Sequence, residues 1–291
     1  MGDLIQLIVS GTATGAIYAL AALGFTLLWQ ASGTINFAQG EFVMLPAFTM
    51  LGVMSLGAPL WLSFLVTCLV SMLVLGYGFK RLIVDPLRRY GVIPLVIATL
   101  GLAVAIKTAL RAGYSAEAHR FPSPFPAGQF PIAGINLSYS DVGTLLVAGV
   151  IVLALQAFVN RTVTGRAMQA VAQNTDAARV LGIDVKRMVL YTFLINAFLA
   201  VVAALLIAPT YLVKFDMGES IGLKAFLAAI IGGFNQTRGA LLGGVLIGVL
   251  ENVVGFYVSP AYKEGVALML FLVVILFRPE GLLGKAEERK V

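Results

Sequence analysis

Nine stretches of this chain are apolar for long enough to cross, or nearly cross, a lipid bilayer as helices. They fall at about 4–29, 37–56, 60–79, 93–111, 139–159, 189–212, 224–234, 239–258 and 263–277. About 20 apolar residues rising 1.5 Å each cover a hydrocarbon core some 30 Å thick. Inside that core there is no water for the backbone, so a spanning segment must be a helix or a strand of a closed barrel. The shorter alternating segments of a barrel are missing, and 59% of residues are hydrophobic while 12% carry charge, far from the balance of a soluble globule. The expected fold is all-α: a polytopic transmembrane bundle of about 8–9 spans with broken or re-entrant segments. The seventh run is too short to cross as a straight helix, so it is expected to be tilted, broken or re-entrant.

Basic residues set the orientation. Lys80, Arg81, Arg88 and Arg89 lie in one loop, and Arg161, Arg166, Arg179, Lys186 and Arg187 in another. Arg278, Lys285, Arg289 and Lys290 lie in the tail, so three places hold 13 of the 20 Lys and Arg residues. All three are assigned to the cytoplasm. The N-terminus and the connection 112–138, with its FPSPFP stretch, are then outside. The net charge of +6 therefore reflects topology, not nucleic-acid binding. Residues 4–29 lack a basic flank and read as a first span, not as a cleaved leader. Cys68, inside an apolar run, reads as a small packing residue. Gly11, Gly15 and Ala19 recur every four residues, as do Gly239 with Gly243 and Gly244 with Gly248, a spacing that lets helices approach closely.

The stretch GTINFAQGEF, 33–42, interrupts this apolar pattern with Asn36, Gln39 and Glu41 between Gly33 and Gly40. Its N-x-x-x-G core recurs as NQTRG at 235–239. Two such copies in one orientation suggest a parallel repeat, one of the arrangements transporters use. Polar breaks at matching places line pathways, because free backbone groups are tolerated only beside water or protein. Asn36, Gln39, Glu41 and Asn235 are therefore pathway or gating candidates, with helix capping a compatible role for Asn36. Glu251, beside Asn252 inside a span, joins them because an ionisable group there is costly, and a hydrogen bond locking neighbouring helices is the equal alternative for it. Asn196 reads as a helix–helix hydrogen bond, and Lys107 and Arg111 as side chains snorkelling to the interface. No metal site is expected around His119, and no nucleotide-binding loop or catalytic triad pattern is visible.

The segment 160–188 is long for a connection between spans. An Ala-rich helix, GRAMQAVAQ, is followed by DAARVLG, which Asn174, Thr175 or Asp176 can cap and Gly182 can end. Two short helices would then protrude as a docking knob, or lie on the lipid surface.

At this point the sequence resembles a known family. GAIYALAALGFTLLW followed by GTINFAQGEF, then GRAMQAVAQNTDAARVLGID and the late RPEGLLG (278–284), is similar to the permease subunit of branched-chain amino-acid ABC importers. The resemblance covers nearly the whole chain and implies one permease domain, 1–291, with a coupling loop at 160–188 that docks on an ATPase. Carried over, Gly165, Arg166, Ala172, Gly182 and Ile183 belong to the coupling surface, with Ala170 beside them. The glutamate that often begins the motif is absent; Gln169 stands nearby. The implied partners are a second related permease subunit, two cytosolic ATP-binding subunits and an external solute-binding protein, and the implied location is the bacterial plasma (inner) membrane. The chain itself is expected to need no cofactor and to carry no ATPase site. The expected function is import of leucine, isoleucine and valine. The alternatives are a same-type permease for urea, short amides or other small polar solutes, or an ATP-independent carrier or channel with Glu41 and Glu251 binding the coupling cation.

Overall fold

The computed structural model describes residues 2–114, 116–132 and 135–284. Lys285, Arg289 and Lys290, used above for orientation, lie outside the described residues. Each apolar run becomes a helix: α1 (Gly2–Ser32), α2 (Gln39–Ser55), α3 (the continuous rod Leu60–Tyr90) and α4 (Val92–Gly113). A hairpin of β1 (Gln129–Ile132) and β2 (Ile135–Ser138), with Phe130 opposite Leu137, gives the connection 112–138 more order than the expected irregular loop. There follow α5 (Tyr139–Arg161), the short α6 (Val163–Gln173) and α7 (Thr175–Val180), α8 (Val185–Tyr211), α9 (Met217–Gly232), α10 (Thr237–Tyr257) and α11 (Lys263–Phe277). Seven of these rods are long and apolar enough to cross a membrane, and the chain is a multi-pass membrane protein. The seventh run grows into the 16-residue α9, which like the 17-residue α2 is about half the length of the 31-residue α1.

The helices divide by burial. In the most apolar windows of α1 and α8, 61% and 67% of residues are inside the bundle, against 11% in α4 and α5. α1 and α8 are thus the axis, and α4 and α5 turn apolar faces outward; Leu146, Val150 and Leu153 on α5 are mostly exposed, which suits lipid and not water. The small-residue spacing works as expected. A Cβ on Gly11 or Gly15 would run into the α10 backbone at Gly248–Val249 and Gly244–Val245, and Gly243 approaches Ala228 of α9 just as closely. Without a hydrophobic drive between helices in lipid, such close packing is a main source of association.

Two faces follow from the contacts. The hairpin face holds the ends of α4 and α8, where His119 and Val213 exchange backbone hydrogen bonds of 2.8 and 2.9 Å. The loop face holds α6 and α7, and there the backbone N–H groups of Leu282 and Leu283 donate to Ile231 and Gly232 at the end of α9.

The stretch 33–42 explains itself here. After α1 ends at Ser32 the chain folds back along the helix it has just left. The Gln39 amide, one residue after the Ala38 cap of α2, reaches Asn196 and the Ala21 carbonyl, deep inside the bundle. The short α2 therefore starts within the bundle and runs to the hairpin face, where Tyr114 Oη donates to the Phe48 carbonyl at 3.2 Å. α9 starts against it, with Gly40 packed on the Gly218 backbone, and runs to the loop face. Both start with the same five-residue pattern: Phe37-Ala38-Gln39-Gly40-Glu41 and Phe215-Asp216-Met217-Gly218-Glu219. Long helix, short helix and two spans (α1–α4) thus recur with opposite sense as α8–α11. This inverted relation replaces the parallel repeat expected from NFAQG and NQTRG. Asn36 is buried within the bundle, whereas Asn235 is exposed on the loop between α9 and α10.

Candidate functional site

Three polar groups stand out among the described residues, two of them buried and the second partly exposed, its Glu219 side chain 73% accessible. The first joins the opened chain to the axis. Asn36 Oδ1 accepts from Ala38 N at 3.1 Å, holding the turn; the α2 cap residue itself is Ala38, so Asn36 supports the helix start from two residues upstream. Gln39 Nε2 donates to Asn196 Oδ1 at 2.8 Å and Asn196 Nδ2 returns the bond to Gln39 Oε1 at 3.1 Å. Gln39 and Asn196 are both fully buried. Gln39 and Asn36 are therefore occupied with each other and with α8, and their amides brace the re-entrant turn. Gln39→Leu should strand both polar ends of Asn196, costing about 1–3 kcal/mol. Gln39→Leu with Asn196→Leu should be milder than either single change in detergent melting curves; an additive loss would contradict this pairing.

The second group surrounds the crossing. Each short helix points its positive N-terminal end at the other, and each brings a carboxylate in its first turn, Glu41 and Glu219, the placement that the helix dipole favours. Lys107, expected only to snorkel, instead pairs with Glu219 at 2.6 Å, and its charge reaches Glu41. The reason is tertiary: α4 passes the N-terminus of α9, where Arg111 also lies over the Phe215 ring.

The third group is a buried ion pair. Lys224 Nζ of α9 lies 3.0 Å from Glu251 Oε1 and donates to Oε2 at 3.2 Å. Tyr18 of α1 donates to Glu251 Oε2 at 3.1 Å, and its hydroxyl shares a 2.7 Å hydrogen bond with Tyr211 of α8. The ammonium also lies 5.2 Å from the Tyr18 ring centroid. Four helices thus meet at one charge pair with both side chains less than a tenth exposed. Of this group only Glu251 was expected; Lys224 stood at the very edge of the seventh run. A lysine and a glutamate in two separate spans is the signal that pairs them.

Above this pair, towards the hairpin face, a cavity of about 850 Å3 opens between α1, α5, α9, α10 and α11. Its walls carry both signs of charge: Asp141, Asp216, Glu219 and Glu264 against Lys214, Lys224 and Lys263. The Asn252 amide nitrogen, buried at its edge, has no hydrogen-bond partner among the described residues. No group of three or more metal-ligating side chains occurs among the described residues.

The coupling candidates lie apart from all three groups, at the loop face. α6 and α7 form as expected, and Asn174 Oδ1 accepts from the N–H groups of Asp176 and Ala177 to cap α7. Gly182 ends it at φ +80°, a conformation glycine adopts without cost. Gly165 is buried against Phe158 and Val159, so it sets the α5–α6 approach and offers no surface; Arg166 and Gly182 are exposed, Ala172 and Ile183 half-buried. The most exposed apolar side chains of the segment are Val180 and Leu181, 88% and 77% accessible. Asn235 lies at the same face, its carbonyl accepting from Gln30 Nε2 at 2.7 Å.

Residues 7–275 match the family described as branched-chain amino acid transport system, permease component. The high-affinity branched-chain amino acid transport system permease protein BraD of Pseudomonas aeruginosa is 33% identical over 99% of this chain and 98% of its own. The corresponding permease protein LivH of Escherichia coli is 30% identical over 99% and 97%. The autoinducer 2 import system permease protein LsrC of Yersinia enterocolitica is 28% identical over 94% of this chain and 75% of its own. No solved structure matches.

Proposed function

The chain belongs to the family of permease components of branched-chain amino acid transport systems, and we propose that it is the membrane-spanning subunit of an ATP-driven importer of leucine, isoleucine and valine. In this reading it works with a second related permease chain, two cytosolic ATP-binding subunits and an external solute-binding protein, in the bacterial inner membrane. The loop face is cytoplasmic, which agrees with the cations at 80–89 and 161–187. The hairpin face and the N-terminus are then external.

The observation that carries the reading is the α6–α7 knob. Its tip exposes Val180 and Leu181 to the aqueous side of a membrane protein, and large apolar side chains standing free there mark a protein contact. An ATPase closing on ATP would press this knob, and Gly182–Ile183 would pass the movement to α8, the bundle axis. Leu181→Asp should abolish ATP-driven uptake while the chain still inserts, and Gly182→Trp, forced into a positive φ, should uncouple hydrolysis from uptake. Wild-type uptake in both would rule the docking role out.

The solute would enter at the hairpin face. A cavity with carboxylates and ammonium groups in its walls suits a zwitterion, whose two charges need opposite partners. Lys224–Glu251 at its floor and Glu41 with Glu219 at the crossing are then the gating groups. The external binding protein would supply most of the selectivity. A second reading keeps the machinery and changes the solute, since a relative 28% identical is named for autoinducer 2 import; uptake competition among radiolabelled leucine, urea and a polyol separates the two.

A further inference from the structure

A second cavity, about 570 Å3 in volume, lies at the loop face between the end of α3 and the start of α8. Its charged lining is Lys80, Asp85, Arg88, Arg179, Asp184 and Lys186. The carboxylates are committed elsewhere. Asp85 pairs with Lys80 at 2.8 Å, and Asp184 Oδ1 accepts from Arg187 N to cap α8. Arg179 is held by Asp176 at 3.2 Å, outside the cavity. Arg88 and Lys186 remain as cations with no acidic partner among the described residues, facing the same space from two different elements. Beside Lys186 at the start of α8, Ile183, Val185 and Val189 give the cavity an apolar wall. Close by, the turn from α3 to α4 exposes the apolar and aromatic side chains of Tyr90, Val92 and Ile93.

We propose that this cavity binds the headgroup phosphate of an anionic phospholipid, with Arg88 and Lys186 holding the phosphate and Val185 and Val189 receiving the glycerol and upper acyl carbons. Basic pockets on the cytoplasmic side attract anionic lipid head groups at about 1 kcal/mol per cation. An inorganic phosphate would satisfy the cations equally well; the apolar wall favours an amphiphile. The site adjoins Gly182–Ile183, so the lipid bridges α3 to the knob and steadies it. That consequence rests on the docking role proposed above, whereas the binding itself does not.

The test uses the intact transporter purified into nanodiscs containing phosphatidylglycerol and phosphatidylcholine, with retained lipid counted by native mass spectrometry after detergent transfer. Arg88→Gln with Lys186→Gln should lower phosphatidylglycerol retention about thirtyfold. Arg81→Gln with Arg89→Gln removes the same charge from the same face but outside the cavity, and should retain it. Lys186→Arg should also retain it, which separates lost binding from a misfolded chain. Equal retention in the two double variants would overturn the proposal. Release of the lipid by millimolar inorganic phosphate would assign the site to a free anion instead, and this too would overturn it.

Discussion

Lys224→Met is expected to be the most damaging single substitution inside the bundle. It leaves Glu251 in a place where its side chain is 3% exposed and its other partner is the Tyr18 hydroxyl. Removing one half of a buried pair costs about 3–5 kcal/mol, because the remaining charge is neither solvated nor paired. A domain holds only about 5–15 kcal/mol in all, so the yield of monodisperse protein and its melting temperature should both fall sharply. Glu251→Leu should do the same from the other side. Together, Lys224→Met and Glu251→Leu should restore much of the stability, since an apolar pair of similar volume often replaces an ion pair at no loss. Uptake separates structure from mechanism: a double variant that is stable but does not transport places the pair in the transport cycle. Single variants as stable as the parent would contradict the pairing described here.

The second large effect is expected at the crossing of the short helices. A side chain on Gly40 would strike the Gly218 backbone, which cannot rotate away as a flexible side chain could. Gly40→Val should therefore push α2 and α9 apart, at a cost of at least about 1–3 kcal/mol from overpacking alone. The loss in transport should exceed the loss in stability, because the two helix starts carry Glu41 and Glu219 and set their distance from Lys107. Gly101→Val on α4, where nothing lies within 4 Å, serves as the control and should leave both properties intact. Equal effects at positions 40 and 101 would remove the crossing from the account.

How much of this could be read from sequence varies with what fixes each feature. The helices on the apolar runs follow those runs because the bilayer dictates hydropathy residue by residue. The short helices α6 and α7 were legible too: Asn174 and Gly182 are local signals whose partners lie within a few residues. The Gln39–Asn196 and Lys224–Glu251 pairs were not, since each depends on which helices become neighbours across 157 and 27 residues. Lys107 was misjudged for the same reason, its partner Glu219 being 112 residues away. The inverted relation was present in the letters as F-x-x-G-E at 37–41 and 215–219. A five-residue pattern stands out only once Gly40 and Gly218 are seen to touch.

In the proposed cycle this chain moves its solute only as part of an ATP-driven assembly. The direct measurement is uptake into proteoliposomes holding the complex purified through this chain, with labelled leucine and the co-purified solute-binding protein outside and ATP either enclosed or omitted. Cytosolic ATP-binding subunits should co-purify, leucine should accumulate against its gradient only with enclosed ATP, and Leu181→Asp should stop it. Leucine movement by this chain alone, without ATP and unaffected by Leu181→Asp, would contradict the account and make the protein a carrier or channel.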